Sequence, residues 1–399
     1  MEWRTARERA HASAVPLGAQ SVPLREAAGL TLAADLVSSA PMPAYDSAAM
    51  DGFAVCEPGP FRLVGEAAAG LPFEGRVLPG EAVRISTGAA VPAGATRVLR
   101  AEDARSPGEA GVVASSGEVV ASWGELVDGP WQPSGMHVRS AGEDAAAGEV
   151  LAVAGSKVTP AMLGLAASAG RDHLKVHPAP RVLLLVTGDE VIPSGTAGHG
   201  LVRDALGPML PPLVAGMGGR VVEVAMVRDR PAGGLARWLD RSAGGADVVV
   251  VTGSTSVGCT DQLREELARR RARVPVGSVA CRPGHPQLLA VLDSGGVLVG
   301  LPGNPFAAFV AAWTLLSPLL AGLSGRALPP LRQVQVEGEV EAPPNGVTRL
   351  VPVSCPSGTW RALGGGRPAF LVGAAMADGL AAIDHRWKPG GSAALVVVA

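Results

Sequence analysis

The sequence predicts a multidomain α/β plus β chain, and three observations carry that expectation. First, residues 181–192, RVLLLVTGDEVI, form an apolar run that passes straight into a glycine turn ending in two carboxylates. Second, the arrangement recurs at residues 247–261, DVVVVTGSTSVGCTD, and 296–306, GVLVGLPGNPF. Continuous apolar runs of this length are strands buried on both faces, the mark of a parallel sheet. Third, the chain has 399 residues, and single hydrophobic cores rarely outgrow about 250 to 300 residues.

The elements follow in order. Up to about residue 39, Ala, Leu and Val recur at helical spacing through 23–37, which predicts helices until Pro41 and Pro43 end the pattern. From 45 to about 138, short alternating segments broken by Gly and Pro (FRLVGEA, EAVRIST, GVVASSG and the region of Trp123) predict a small β-domain. A helix is expected over 160–169, and the proline-marked HPAP that follows leads into the next domain. Between 181 and 323 strand and helix patterns alternate: strands VLLLV, VVEVAMV, DVVVV and GVLVG, with helices near 206–216, 236–241, 261–271 and 306–323. Such alternation builds a three-layer α/β domain. From 329 onward only short alternating strands appear, QVQVEGEVEA and SAALVVVA among them, so a compact terminal β-domain is expected. The boundaries become a discontinuous helical domain at 1–40 and 140–178, a small β-domain at 41–139, an α/β domain at 179–325 and a β-domain at 326–399.

Composition narrows the function. Hydrophobic residues make up 47%, yet the longest apolar stretch, residues 306–316, falls short of the ~18 that span a bilayer. The N-terminus, MEWRTARERAHASA, mixes charges of both signs and has no apolar core. A soluble, cytoplasmic protein with no membrane partner is expected. A net charge of −2 with no basic run argues against nucleic acid. Four cysteines without CxxC spacing are too few for a disulfide scaffold or a zinc site.

Loops at the carboxyl ends of parallel strands gather along one edge, where ligands bind. The three glycine loops, at Gly188, Gly253 and Gly303, are rich in backbone N–H groups, and Glu190 and Asp261 sit among them. Such loops suit a phosphorylated ligand and a divalent cation.

Three further motifs, MPAYDSAAMDGFAV (42–55), RISTGAAVPAGATRVLRAED (84–103) and GEDAAAGEVL (142–151), join the three loops in order. Together they resemble the MoeA family, molybdenum-insertion enzymes of molybdenum cofactor synthesis related to the gephyrin E domain. The resemblance covers essentially the whole chain. It implies an elongated four-domain chain with a three-layer α/β molybdopterin-binding domain and a C-terminal β-barrel-like domain. It also implies a homodimer whose active site lies at the subunit interface, the N-terminal motifs of one subunit facing the α/β domain of the other. The implied activity is that of a molybdopterin molybdenumtransferase, which inserts molybdate into adenylylated molybdopterin with Mg2+ and releases AMP. Molybdopterin adenylyltransferase or molybdoenzymes are the implied protein partners.

Carried over by motif, Asp51, Thr87, Asp144, Glu190 and Asp261 take catalytic roles, with Glu190 and Asp261 as metal positioners. Gly188, Gly253, Ser256 and Gly258 would cradle phosphate. Pro302, Gly303, Asn304 and Pro305 would shape the pterin side, and Arg349 matches a family arginine. Asp51 before Gly52 and Asn304 before Pro305 are also what a turn and a helix start require.

The chain departs from the family pattern at its anion side. CRPGHP (281–286) stands where a turn with two lysines is usual, so the cations are Arg282 and His285. Ser254 replaces a glycine, Asp204-Ala205-Leu206 replaces a more polar run, and the serine expected near 365–370 is missing. These changes leave a second function open: a paralogue that binds molybdopterin or a related nucleotide as carrier or scaffold.

Overall fold

A computed structural model describes residues 1–105, 125–231, 233–241, 245–253, 262–293, 295–364 and 366–398. The chain divides into two compact units. One comprises Met1–Ala34, Ala154–Thr159 and Lys175–Ala399, the other Asp35–Val153 and Pro160–Leu174.

The first unit is organised by a six-stranded sheet in the order Arg220–Val227, Arg181–Thr187, Val248–Thr252, Val297–Leu301, Leu288–Val291, Arg273–Val276. Its first four strands are parallel, as their continuous apolar runs predict. Successive side chains alternate between two cores. Val182, Leu184, Val248, Val250, Val297 and Val299 face one, with Leu206, Leu210 and Phe306. Leu183, Leu185, Val249, Val251 and Leu298 face the other, with Leu235, Leu239, Leu263 and Leu267. Each fully buried side chain of this size contributes about 1.5–3 kcal/mol, so both faces hold the sheet and fix its register.

Helices flank it at Leu206–Gly216, Gly234–Arg241, Gln262–Arg269 and Pro305–Ala311. The last continues through a π-helical segment, Ala312–Leu316, into Ser317–Leu323. The whole stretch runs 19 residues at a mean hydropathy of 1.9. By length and composition it reaches a bilayer's span, which corrects the shorter estimate from the apolar run alone. Thr314, Ser317 and Pro318 interrupt the run without ending the helix. It is 89% buried inside the fold, the setting of a core helix. The N-terminal helix Trp3–Ala12 packs on it: the Trp3 indole donates to Thr314 Oγ1 at 3.0 Å, and Arg7 donates to the Trp313 carbonyl at 2.5 Å. Burial pushes the Arg7 pKa down to about 10.

The terminal strands close on themselves. Thr348–Ser354, Trp360–Ala362, Arg332–Glu337, Ser392–Val397 and Gly379–Ile383 follow one another, and the last pairs back to the first. The two-residue strand Cys281–Arg282 joins this barrel-like sheet in parallel, with Arg282 opposite Arg349.

In the second unit a five-stranded sheet runs Arg97–Arg100, Gly52–Val55, Glu81–Ile85, Phe61–Ala67, Leu126–Val127, where short alternating strands were expected. GVVASSG and Trp123 lie outside the described residues. The helix Pro160–Ser168 also belongs here.

Two expectations fail. Residues 23–37 form a single helical turn, Leu24–Ala27, between short strands Gln20–Pro23, Thr31–Leu32 and Leu36–Val37. Backbone pairing to Lys157 and to strands Val150–Ala152 and His173–His177 overrides the helical spacing there. The sheet is also not wholly parallel, because Leu288–Val291 and Arg273–Val276 add an antiparallel edge.

Candidate active site

The carboxylates gather at the carboxyl end of the parallel strands. Strand Arg181–Thr187 runs into Gly188, whose φ of 139° and lack of a Cβ leave room for the Glu190 carboxylate: an added Cβ would lie 2.8 Å from Glu190 Oε2. Gly253, at φ 95°, closes the neighbouring strand, and an added Cβ there would lie 2.8 Å from Thr187 Oγ1. Only glycine serves at such a close approach with positive φ. The Gly253 amide donates to the Leu301 carbonyl at 3.0 Å, so it is satisfied within the fold. Gly303 abuts this loop: a Cβ there would stand 3.3 Å from Gly253 Cα.

Two more carboxylates complete the cluster: Asp189, seen in the first glycine turn but given no role, and Asp229, which the sequence reading passed over. Asp189 accepts from Arg230 Nε at 2.8 Å and from the backbone amides of Asp229 and Arg230. That pairing holds its carboxyl below the usual aspartate range. Asp229 follows the strand Arg220–Val227, and its carboxyl is pushed upward, first by burial and then by the charges of Asp189 and Glu190. The signal was available: VVEVAMVRD, like RVLLLVTGD, ends a sheet strand on an acid. Gln262, the first residue of its helix, donates to the Asp229 carbonyl at 2.7 Å. Asp261, Ser256 and Gly258 lie outside the described residues.

The predicted cations meet elsewhere in the same unit. Arg282, His285, Pro302, Asn304 and Arg349 line one cavity of about 1100 Å³ between the sheet's carboxyl edge and the barrel. Strand pairing of Cys281–Arg282 with Thr348–Arg349 sets the two arginines side by side. Arg349 is ion-paired with Glu341 at 2.9 Å. His285 Nδ1 lies 2.7 Å from the Val279 carbonyl, which requires that nitrogen to carry the hydrogen and turns Nε2 to other partners. The turn is held from below by Gln287, fully buried, whose Nε2 donates to the Gly284 carbonyl at 2.7 Å and to Cys281 Sγ at 3.3 Å. Burial pushes the Cys281 thiol up to about 12, so it stays neutral and inert. Pro305 opens the helix as expected, but the Asn304 side chain does not cap it. Instead the Pro368 carbonyl accepts from the Phe306 and Ala307 amides at 2.9 and 3.1 Å. Arg367 and Phe370 also line the cavity, and neither was singled out in the sequence.

In the second unit the three N-terminal motifs interlock through backbone bonds. Gly88 donates to Ala48, Val91 to Asp46, and both Gly142 and Asp144 to the 42–43 turn. Asp51 Oδ1 accepts from the Thr87 amide at 2.6 Å and its hydroxyl at 2.9 Å. Those two bonds, the backbone one foremost, hold the Asp51 carboxyl below its ordinary value. The Thr87 hydroxyl hydrogen is thereby used inside the fold. Asp144 is ion-paired with Arg139, which also binds Glu143. Thr87→Val should raise the Asp51 pKa toward the ordinary aspartate value while the backbone bond persists, as read by carboxyl NMR titration. In the wild type the stabilisation from this lowered pKa is present above the unfolded-state value and is lost as pH falls through the folded one. An unmoved titration would show that the hydroxyl does not act on Asp51.

Comparison with known proteins agrees with this architecture. Residues 1–170 match a family model described as the MoeA N-terminal region (domain I and II), and residues 183–322 match a probable molybdopterin binding domain. A Synechococcus elongatus protein named molybdopterin molybdenumtransferase is 31% identical over 336 residues, covering 81% of this chain and 80% of its own. The chain belongs to the MoeA family. Another similar family member, molybdopterin molybdenumtransferase 2 of Mycobacterium tuberculosis, is 33% identical over 316 residues, covering 75% of this chain and 74% of its own. A crystal structure of the MoeA protein of Pyrococcus horikoshii superposes with a TM-score of 0.79 at 23% identity, covering 100% of this chain and 98% of that one. It shares the MoeA fold.

Within that MoeA fold the departures at 204–206 have a local structural outcome. Asp204, one residue before the N-cap Ala205, accepts through Oδ1 from the amides of Leu206 and Gly207, each at 2.9 Å, and so satisfies two of the open amides that begin the helix Leu206–Gly216.

Proposed function

We propose that this chain is a molybdopterin molybdenumtransferase of cytoplasmic molybdenum cofactor synthesis, which transfers molybdate into adenylylated molybdopterin and releases AMP in a magnesium-dependent step. The observation that carries this reading is one turn shared by two oppositely charged sites. Residues 302–304 line the cationic cavity with Pro302 and Asn304, and abut the Gly253 loop of the carboxylate edge through Gly303. A phosphorylated substrate needs a cation-holding edge, and a metal oxyanion needs a positive cavity beside it.

The carboxylate edge fits Mg2+. Ionised Glu190 and Asp229 repel one another at a partly buried site, and a divalent cation relieves that repulsion. Among the described residues no three acidic, His or Cys side chains stand together as a cage, but Mg2+ takes only one or two carboxylates, keeping water and substrate phosphate as its other ligands. Glu190 and Asp229 would hold it; Asp261, expected from the sequence as a metal positioner, lies outside the described residues. When bound, the cation neutralises phosphate oxygens and polarises the anhydride toward cleavage. Arg230 keeps Asp189 ionised and turned toward the loop after Arg220–Val227, which steadies Asp229 from the other side. The Gly188 and Gly253 amides are engaged by the Val227 and Leu301 carbonyls, so Arg282 and Arg349, with His285 in its doubly protonated form, would hold the oxyanion.

Asp51, Thr87 and Asp144 are proposed to act on the site of the other copy in a homodimer. Purified protein supplied with adenylylated molybdopterin should release AMP in proportion to added molybdate. Equimolar mixing and reassembly of Asp51→Ala with Glu190→Ala should restore about a quarter of wild-type activity, the share expected when half the dimers carry one intact site. Tight nucleotide binding without AMP release at any molybdate concentration would replace this reading with the carrier.

A further inference from the structure

The wall of the cationic cavity formed by residues 366–370 holds a single side chain able to donate a hydrogen bond, Arg367. Gly366, Pro368, Ala369 and Phe370 offer none. The wall's backbone is pinned, because the Pro368 carbonyl takes the first amides of the helix Pro305–Ala311 and the Phe370 amide donates to the Arg367 carbonyl at 3.0 Å. A carbonyl therefore occupies that helix start, and its first amides are not open to an anion in the cavity. Three arginines line the space. Arg349 is engaged by Glu341, whereas Arg282 and Arg367 have no side-chain partner among the described residues.

We propose that Arg367, together with Arg282, sets the cavity's specificity for a doubly charged tetrahedral oxyanion over singly charged ones. This rests on the molybdate-transfer reading above. Both guanidinium groups are permanently charged and present planar forks of N–H donors. Arg282 is carried by a strand of the barrel and Arg367 by the pinned wall, so an anion between them is met from two separate elements. Glu339 lines the same cavity, so the unpaired lining charge stays positive but smaller than the two arginines alone. A dianion with four equivalent oxygens reaches both forks and is drawn to that charge more strongly than a monoanion. Arg367 is a specificity-determining residue; the carboxylates and their cation perform the cleavage.

The test measures molybdate binding to the full-length protein by calorimetry, with sulfate as a competing dianion and perchlorate as a competing monoanion. Arg367→Met should weaken molybdate binding about tenfold or more, the loss expected for a hydrogen bond to a charged group. It should also narrow the preference for sulfate over perchlorate. Arg367→Lys, which keeps charge without the fork, should recover part of the loss. Arg361→Met removes an exposed arginine paired with Glu337 outside the cavity and should change nothing. Because Arg367 is exposed, the thermal melt should not move in any of these variants. Wild-type affinity in Arg367→Met together with lost affinity in Arg282→Met would overturn the role of Arg367 and leave molybdate transfer standing. Failure of the wild type to bind molybdate at all would overturn both.

Discussion

Glu190→Ala should lower the turnover number of molybdate-dependent AMP release about a hundred- to a thousandfold, with the KM for molybdate little changed. The size follows from removing a preorganised charge at a site where phosphate charge is neutralised. The constancy of KM follows from the location of Arg282, His285 and Arg349, which line a separate cavity that Glu190 does not touch. Asp229 gives an independent readout that needs no turnover. Its folded-state pKa is raised, so between the ordinary aspartate value and that raised value the folded chain binds more protons than the unfolded one. Stability therefore falls as pH rises through this window, and the ionised carboxylate is a standing cost at neutral pH. Asp229→Asn should raise the melting temperature at neutral pH in metal-free buffer. Added Mg2+ should raise the wild-type melting temperature but leave the variant nearly unmoved. If Glu190→Ala keeps turnover within threefold of wild type, and Mg2+ stabilises Asp229→Asn as well as the wild type, the carboxylate edge is not the metal-bearing site.

The parallel sheet was legible because its strands are buried on both faces, which forces the unbroken apolar runs ending at Thr187, Thr252 and Leu301. The glycine loops were legible for a related reason, since positive φ and crowded Cβ positions at Gly188 and Gly253 exclude other residues. Pairings between short segments left no such trace. Cys281–Arg282 is two residues long and has no periodicity to read, yet its register beside Thr348–Arg349 is what brings two arginines together. Asp229 ends its strand as Asp189 does, but without the glycine turn that draws the eye, and its role becomes visible only once the two strands are neighbours. Arg367 stands in a glycine- and proline-rich run whose placement depends on the helix start it caps. Spacing over 23–37 suggested helix because Ala and Leu suit both states, and the partners that decide for strand lie far along the chain.

Gly52→Ala should destabilise the second unit by about 3 kcal/mol or more, at the severe end of overpacking changes. In the motif AMDG this glycine begins the strand Gly52–Val55, paired on one side with Arg97–Arg100 and on the other with Glu81–Ile85. An added Cβ would collide with the Leu99 carbonyl oxygen and crowd Leu99 C at 2.9 Å and Ala101 N at 3.0 Å. All three are backbone atoms in a paired strand or directly after it, so no rotamer change makes room and the strands must part. The adjoining Ala101 amide, which donates to the Asp51 carbonyl at 3.0 Å, is disturbed by the same movement. Asp51 then loses its fixed approach to Thr87, and activity should fall together with stability. Gly164→Ala is the matched control. Gly164 lies exposed in the helix Pro160–Ser168 of the same unit with open space at its Cβ, so alanine there should stabilise by about 0.5–1 kcal/mol through helix propensity. Differential scanning calorimetry should show the melt of the second unit dropping by about 10 °C in Gly52→Ala and rising slightly in Gly164→Ala. Equal melts for the two variants would mean that the close strand approach at Gly52 relaxes freely, and that the glycine is kept for the ligand rather than for the sheet.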